Sequence, residues 1–199
     1  MAIDHNDECH AWGRNNFGQC GVGACTEAEP TPRRVSLPHV PVEISLGTFH
    51  SMVRGKEGQL SAAGANNYGQ LGLGGSSTAP RASFVLLPSF MGGSAVKVSA
   101  GANHSAALDS NGVVLTWGWG KFGQLGRELP KGGLQQSSTP EAIKGGIAID
   151  LESGYDCLMV SRAQVDQSGM YGNFGHWIHH MQTRIGMVSR WAASWASRG

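Results

Sequence analysis

The stretch Trp117-Gly-Trp-Gly-Lys-Phe-Gly-Gln-Leu-Gly126 decides how this chain folds, because it occurs three times. Trp12-Gly-Arg-Asn-Asn-Phe-Gly-Gln-Cys-Gly21 and Ala63-Gly-Ala-Asn-Asn-Tyr-Gly-Gln-Leu-Gly72 match it column by column, at a period of roughly fifty residues. A second block follows each signature: Val42-Glu-Ile-Ser-Leu-Gly-Thr-Phe-His-Ser51, Val96-Lys-Val-Ser-Ala-Gly-Ala-Asn-His-Ser105 and Ile149-Asp-Leu-Glu-Ser-Gly-Tyr-Asp-Cys-Leu158. Two blocks in fixed order at one period mark repetition of a single supersecondary unit.

Each column has a physical reading. Val42, Ile44 and Leu46 alternate with Glu43 and Ser45, as Val96, Val98 and Ala100 do with Lys97 and Ser99. Alternation at period two predicts a strand with its aliphatic face buried. His104–Leu108 continues as a second strand, Asp109-Ser-Asn-Gly112 supplies an Asn-Gly hairpin turn, and Val113–Trp117 returns. Gly118, Gly123 and Gly126 punctuate the next turn, where positive φ excludes β-branched residues. Phe17, Tyr68 and Phe122 form an aromatic column before each Gly-Gln. A polar loop then leads to Pro32, Pro80 or Pro140 and a further apolar run. One period thus holds about four short strands, the content of a propeller blade.

The pattern W-G-x-N-x-x-G-Q-L-G, followed by G-x-x-H-S and a D-x-x-G turn, resembles the regulator of chromosome condensation repeat. The resemblance implies a β-propeller with one blade per repeat, usually seven in a ring. Seven periods need roughly 350 residues, and the chain has 199. The expected fold is therefore all-β, a partial propeller of about three blades of four antiparallel strands, over residues 1–175. Signatures lie at 12–21, 63–72 and 117–126, with a degenerate one at 171–175. Such an open stack leaves a sheet face and edge unpaired and invites self-association. Residues 176–199 contain no Asp or Glu, and Trp177, Met181, Ile185, Val188, Trp191 and Trp195 recur at helical spacing. That reads as an amphipathic C-terminal helix, serving either as a cover for the stack or as a partner- or membrane-surface helix.

Composition limits the function. The 15 basic and 14 acidic residues leave a charge of +1, too little for a nucleic-acid backbone or an anionic bilayer. The acidic start, Met1 to Glu8, is no secretory leader, and no run reaches the ~18 apolar residues of a membrane span; a cytoplasmic or nuclear protein is expected. Cys9, Cys20, Cys25 and Cys157 form no C-x-x-C pair and read as free, buried thiols. His50 and His104 share a column with Cys157 and read as structural. Trp12 and Trp117 read as core. No phosphate-binding, nucleophile-elbow or zinc-protease motif occurs, so no catalytic residue, metal or cofactor is assigned.

Binding falls instead to loops held by rigid blades. The segment Arg127–Thr139 is the longest connection and carries Arg127 and Lys131, with Lys121 nearby, and Trp119 stands where the first copy is polar and is read as exposed; Trp119, Lys121, Arg127 and Lys131 are the candidate partner-binding residues. The expected function is a non-enzymatic protein-interaction module. The resemblance also implies an alternative, nucleotide exchange on a small GTPase, which works by differential binding and needs no acid–base chemistry.

Overall fold

The computed structural model describes residues 1–130, 133–162, 164–165 and 171–172. The 176–199 segment, and with it the expected helix, lies outside the described residues. Within them the chain is all β, with a single 3₁₀ turn at Pro88–Phe90.

Strands β1 (Ala2–Ile3), β2 (Cys9–Arg14) and β3 (Ala28–Val35) make the first sheet. The second is β4 (Pro41–Leu46), β5 (His50–Gly55), β6 (Leu60–Gly64) and β7 (Arg81–Leu86); the third is β8 (Ala95–Ala100), β9 (His104–Asp109), β10 (Val114–Trp119) and β11 (Gln136–Ala142). A fourth begins with β12 (Ala148–Ser153) and β13 (Leu158–Arg162), and β14 (Gln164–Val165) pairs with β15 (Tyr171–Gly172). All pairs are antiparallel between chain neighbours. Strand β8 packs against both β4 and β12, so the first strands of successive sheets face one another. This is a partial β-propeller.

The first strands carry a feature that alternation conceals. Their registers slip between Pro41 and Glu43, between Ala95 and Lys97, and between Ala148 and Asp150. Val42, Val96 and Ile149 are thus the extra residues of three equivalent β-bulges, and they are 44%, 47% and 49% exposed. Val42 and Val96 are thereby corrected from the buried face, on which Val98 and Ala100 stand as expected. Pro41, Ala95 and Ala148, one residue earlier, are the buried ones, and Leu46 is exposed as well.

The hairpin turns are also tighter in their demands than expected. Asp109 Oδ1 accepts hydrogen bonds from the backbone N–H of Asn111 (2.9 Å) and Val113 (2.8 Å). Only Gly112, at φ 76°, takes the left-handed conformation. Asp4 repeats the arrangement with Asn6 and Glu8, and there Asp7 holds the position at φ 59°.

The core lies between sheets rather than inside one. Met52, Leu60, Leu71, Leu87, Phe90 and Trp117 bury one another between the second and third. A smaller cluster, Cys9, Ala11, Cys20, Val35, Val53 and Phe84, joins the first to the second. The two tryptophans of the signature column part company here: Trp117 is fully buried, but Trp12 is 44% exposed. The core reading of Trp12 is therefore corrected. Trp117 packs on the preceding sheet, and for Trp12 the described residues provide no preceding sheet.

In each signature the glycine before Gln donates its N–H back three residues: Gly18 to Asn15 O, Gly69 to Asn66 O and Gly123 to Gly120 O, at 2.9–3.0 Å. Gly123 does so at φ 84°, where a β-branched residue is strained. Gly123→Val is expected to lower stability by about 1–3 kcal/mol; an unshifted thermal midpoint would refute this turn assignment.

Candidate protein-docking face

The signature loops are built around two side chains. The glutamine folds its Oε1 back onto the N–H of the aromatic residue two positions earlier: Gln19 to Phe17 (3.0 Å), Gln70 to Tyr68 and Gln124 to Phe122 (both 2.9 Å). The asparagine spans the loop. Asn15 Oδ1 accepts from the N–H of Cys20, and its Nδ2 donates to Ala24 O and Thr26 Oγ1. Asn66 does the same between Leu71 and Ser77. Gly120 replaces it in the third copy and keeps the backbone N–H bond to Gln135 O, the counterpart of Asn15 N–H to Glu27 O. With the loop pinned from inside, the aromatic side chain is held toward the surface.

These loops link sheets as well. Ser51 Oγ donates to Gln19 O (2.7 Å), and Ser105 Oγ donates to Gln70 O (2.8 Å). Ser105 Oγ also meets His50 Nε2 at 2.8 Å. His50 is pushed down to about 3 by burial, with the neighbouring His104 adding to the effect. His104 is pushed down to about 4 by burial, offset in part by the Cys157 backbone. Burial thus favours the neutral imidazole at both positions. The serine column ends in Leu158, and the buried ring nitrogens of His104 meet no hydrogen-bond partner among the described residues.

At the same end of the sheets the aromatic residues gather. Tyr68 stacks on Trp119 with centroids 5.3 Å apart, and Trp119 meets Phe122 edge-on at 5.0 Å. Phe17 meets Phe49 edge-on at 5.2 Å. The ladder Tyr68–Trp119–Phe122 crosses from the second sheet to the third. Phe122 is 57% exposed at its rim, beside exposed Lys121.

Of the expected binding residues, Trp119 and Lys121 therefore stand together. Arg127 does not join them. Its guanidinium turns inward to Glu141 (3.1 Å) and to Thr116 O (3.4 Å), with the side chain only 13% exposed. Lys131 lies outside the described residues. The loop is also shorter than read, because Gln136–Thr139 belong to β11; the connections 65–80 and 120–135 match in length. Tyr68 and Phe122 were visible as a column, but their meeting through Trp119 was not, since Arg14 and Ala65 occupy its position in the other copies.

Cys9 and Cys20 are buried, and burial raises both thiols; Cys25 and Cys157 are exposed, contrary to expectation. Asp4, Glu8 and His10 bring their ligand atoms within 4.8 Å of one another, but Asp4 pairs with His10 and Glu8 with Arg34. No helix of the described residues is long and apolar enough to cross a membrane.

Comparison with known proteins agrees with this geometry. The family model "Regulator of chromosome condensation (RCC1) repeat" matches residues 6–54, 57–108 and 111–160. The second and third matched units start just before the third strand of one sheet and end on the second strand of the next, and the first runs in the same way from β2 to β5, so the repeat is offset from the four-strand blade by two strands. The dog "X-linked retinitis pigmentosa GTPase regulator" is 38% identical over 63% of this chain and 13% of its own length. The human "Probable E3 ubiquitin-protein ligase HERC6" is 33% identical over 88% of this chain and 17% of its own. The chain thus spans less than a fifth of these relatives. Among solved structures, Prp20p from Saccharomyces cerevisiae superposes with a TM-score of 0.68 at 24% identity, covering 77% of this chain and 39% of that one. By sequence unit, sheet order and overall shape, the chain belongs to the regulator of chromosome condensation repeat family.

Proposed function

We propose that this chain is a non-enzymatic protein-docking module that binds its partner through the signature-loop face. The observation that carries this reading is the aromatic ladder Tyr68–Trp119–Phe122 with Lys121 at its rim. Aromatic side chains on a rigid frame give contact area at low entropic cost, and such anchors dominate interface energies. Trp119→Ala combined with Phe122→Ala is expected to weaken partner capture by tenfold or more, about 1.4 kcal/mol, with the thermal midpoint of the module little changed. Undiminished capture by the folded double variant would remove this face from the interface.

Nucleotide exchange on a small GTPase is the second reading. It is supported by the GTPase-regulator relative and by Prp20p, whose structure was described together with its binding to Gsp1p and histones. An exchanger speeds release of a fluorescent GDP analogue from its own GTPase, because it binds the nucleotide-free form more tightly than the loaded one. No acceleration across a GTPase panel at micromolar module would exclude exchange and leave simple docking.

A further inference from the structure

Three equivalent glycines close the signature loops, Gly21, Gly72 and Gly126, at φ 70°, 68° and 63°. A methyl group on Gly21 would lie 2.2 Å from the Phe84 ring, and one on Gly72 would lie 2.8 Å from Trp117 Nε1. Both glycines are therefore cradles that let an aromatic ring close on the backbone. A methyl on Gly126 would meet only Ile143, at 3.6 and 3.7 Å, among the described residues.

Trp117 shows how a cradle is filled. Its Nε1 donates to Gln70 O at 2.9 Å, and its ring lies against Gly72 and beside Phe90. Leu87 borders the same space. The repeat places Gln124, Gly126 and Ile143 where Gln70, Gly72 and Leu87 stand. Ile143 N donates to Val114 O as Leu87 N does to Leu60 O, both at 2.9 Å. Trp12 occupies the Trp117 column and lies exposed. Among the described residues there is thus an aromatic knob without a cradle and a cradle without a knob.

The strands are complementary in the same sense. Strand β1 covers only His10 and Cys9 of β2, whereas β5 covers β6 from Leu60 to Gly64. Ala11–Arg14 therefore form an open edge among the described residues. Strand β13 is paired with β12 on one side and with none of the described strands on the other.

We propose that two copies of this chain associate head to tail, with Trp12 of each copy seated in the Gln124–Gly126–Ile143 cradle of the other. In this arrangement β13 of one copy adds antiparallel to β2 of the second, taking over the edge held by β1. The resulting order β12–β13–β2–β3 reproduces that of the two complete sheets. Leu158 then stands opposite Trp12, as Ser51 stands opposite Ala63 and Ser105 opposite Trp117. The contact is heterologous and reciprocal, so two copies satisfy both knobs and both cradles. They form six sheets, within the roughly four to eight of known propellers. In the sequence register Tyr171 falls in the same column and is the competitor for the cradle within one chain.

Sedimentation of the full chain through the micromolar range tests this, together with hydrogen exchange at each concentration. The expected mass moves from 21.0 kDa toward twice that value, and the amides of 11–14 and 158–160 gain protection together. Trp12→Ala is expected to weaken association at least tenfold, and Tyr171→Ala to tighten it. A single species of 21.0 kDa throughout would overturn the proposal. So would association that gains protection elsewhere or survives Trp12→Ala unchanged. The exchange pattern is read on the unaltered chain, so it decides the question even if a variant misfolds. Failure here leaves the signature-loop face, at other residues, untouched.

Discussion

Trp117→Ala is expected to lower the unfolding free energy by about 3–5 kcal/mol, among the largest effects of any single substitution in this chain. Three losses combine. The ring is fully buried and packs on Phe90 across two sheets. Its removal opens a cavity between rigid strands that relax poorly. It also takes away the donor to Gln70 O, which keeps only Ser105 Oγ. Trp12→Ala, in the same sequence column, is expected to change stability by less than about 1 kcal/mol in dilute solution, because that ring already meets water. Urea titration of both variants checks the contrast. The midpoint for Trp117→Ala should drop with an unchanged slope; equal midpoints for the two would mean that the second and third sheets are not joined through Trp117.

Acidification is expected to unfold the chain from above pH 4. His50 and His104 titrate near 3 and 4 in the folded state, below the ordinary 6.5 that they regain on unfolding. Between those limits the unfolded chain binds more protons. Stability is therefore complete above about pH 6.5 and lost as pH falls. These two sites alone bring the slope toward about 2.7 kcal/mol per pH unit between pH 6 and 4, and His39, lowered by burial, and the hydrogen-bonded carboxylates Asp4 and Glu29, also held below their ordinary values, act in the same direction. Asp156, whose carboxyl is raised by burial, opposes the trend at the acid end. His104→Gln removes one of these protons, so the slope should fall by about 1.4 kcal/mol per pH unit. A slope that His104→Gln leaves unchanged would show that other groups govern the acid limb.

The repeat made most of the architecture legible, because a column that recurs at one period has the same neighbours each time. The histidine column and the four-strand unit follow from recurrence, whereas the glutamine rivets that recur beside the aromatic column are not read from it. What stayed hidden depends on contacts between units or on local irregularity. Val42 reads as a buried strand residue because alternation carries no sign of a bulge. Trp12 reads as core because its column is core elsewhere, while its burial depends on the sheet before it. Arg127 reads as a loop cation, yet Glu141 lies across the strand pair and draws it inward. Trp119 joined the binding set for its exposure; its true partners are Tyr68 and Phe122, one of them on the adjacent sheet.

The two-strand offset between repeat and blade has a consequence for breakage and gene duplication. A cut in the turn at residues 110–111 separates two units, yet it leaves β8–β9 on one fragment and β10–β11 on the other. The halves of that sheet remain laced by the β9–β10 ladder from Leu108–Val114 to His104–Gly118. Duplicating one unit likewise splices new strands into two existing sheets at once. Lineages can lengthen such an array without ever passing through a product that carries a loose, self-contained blade.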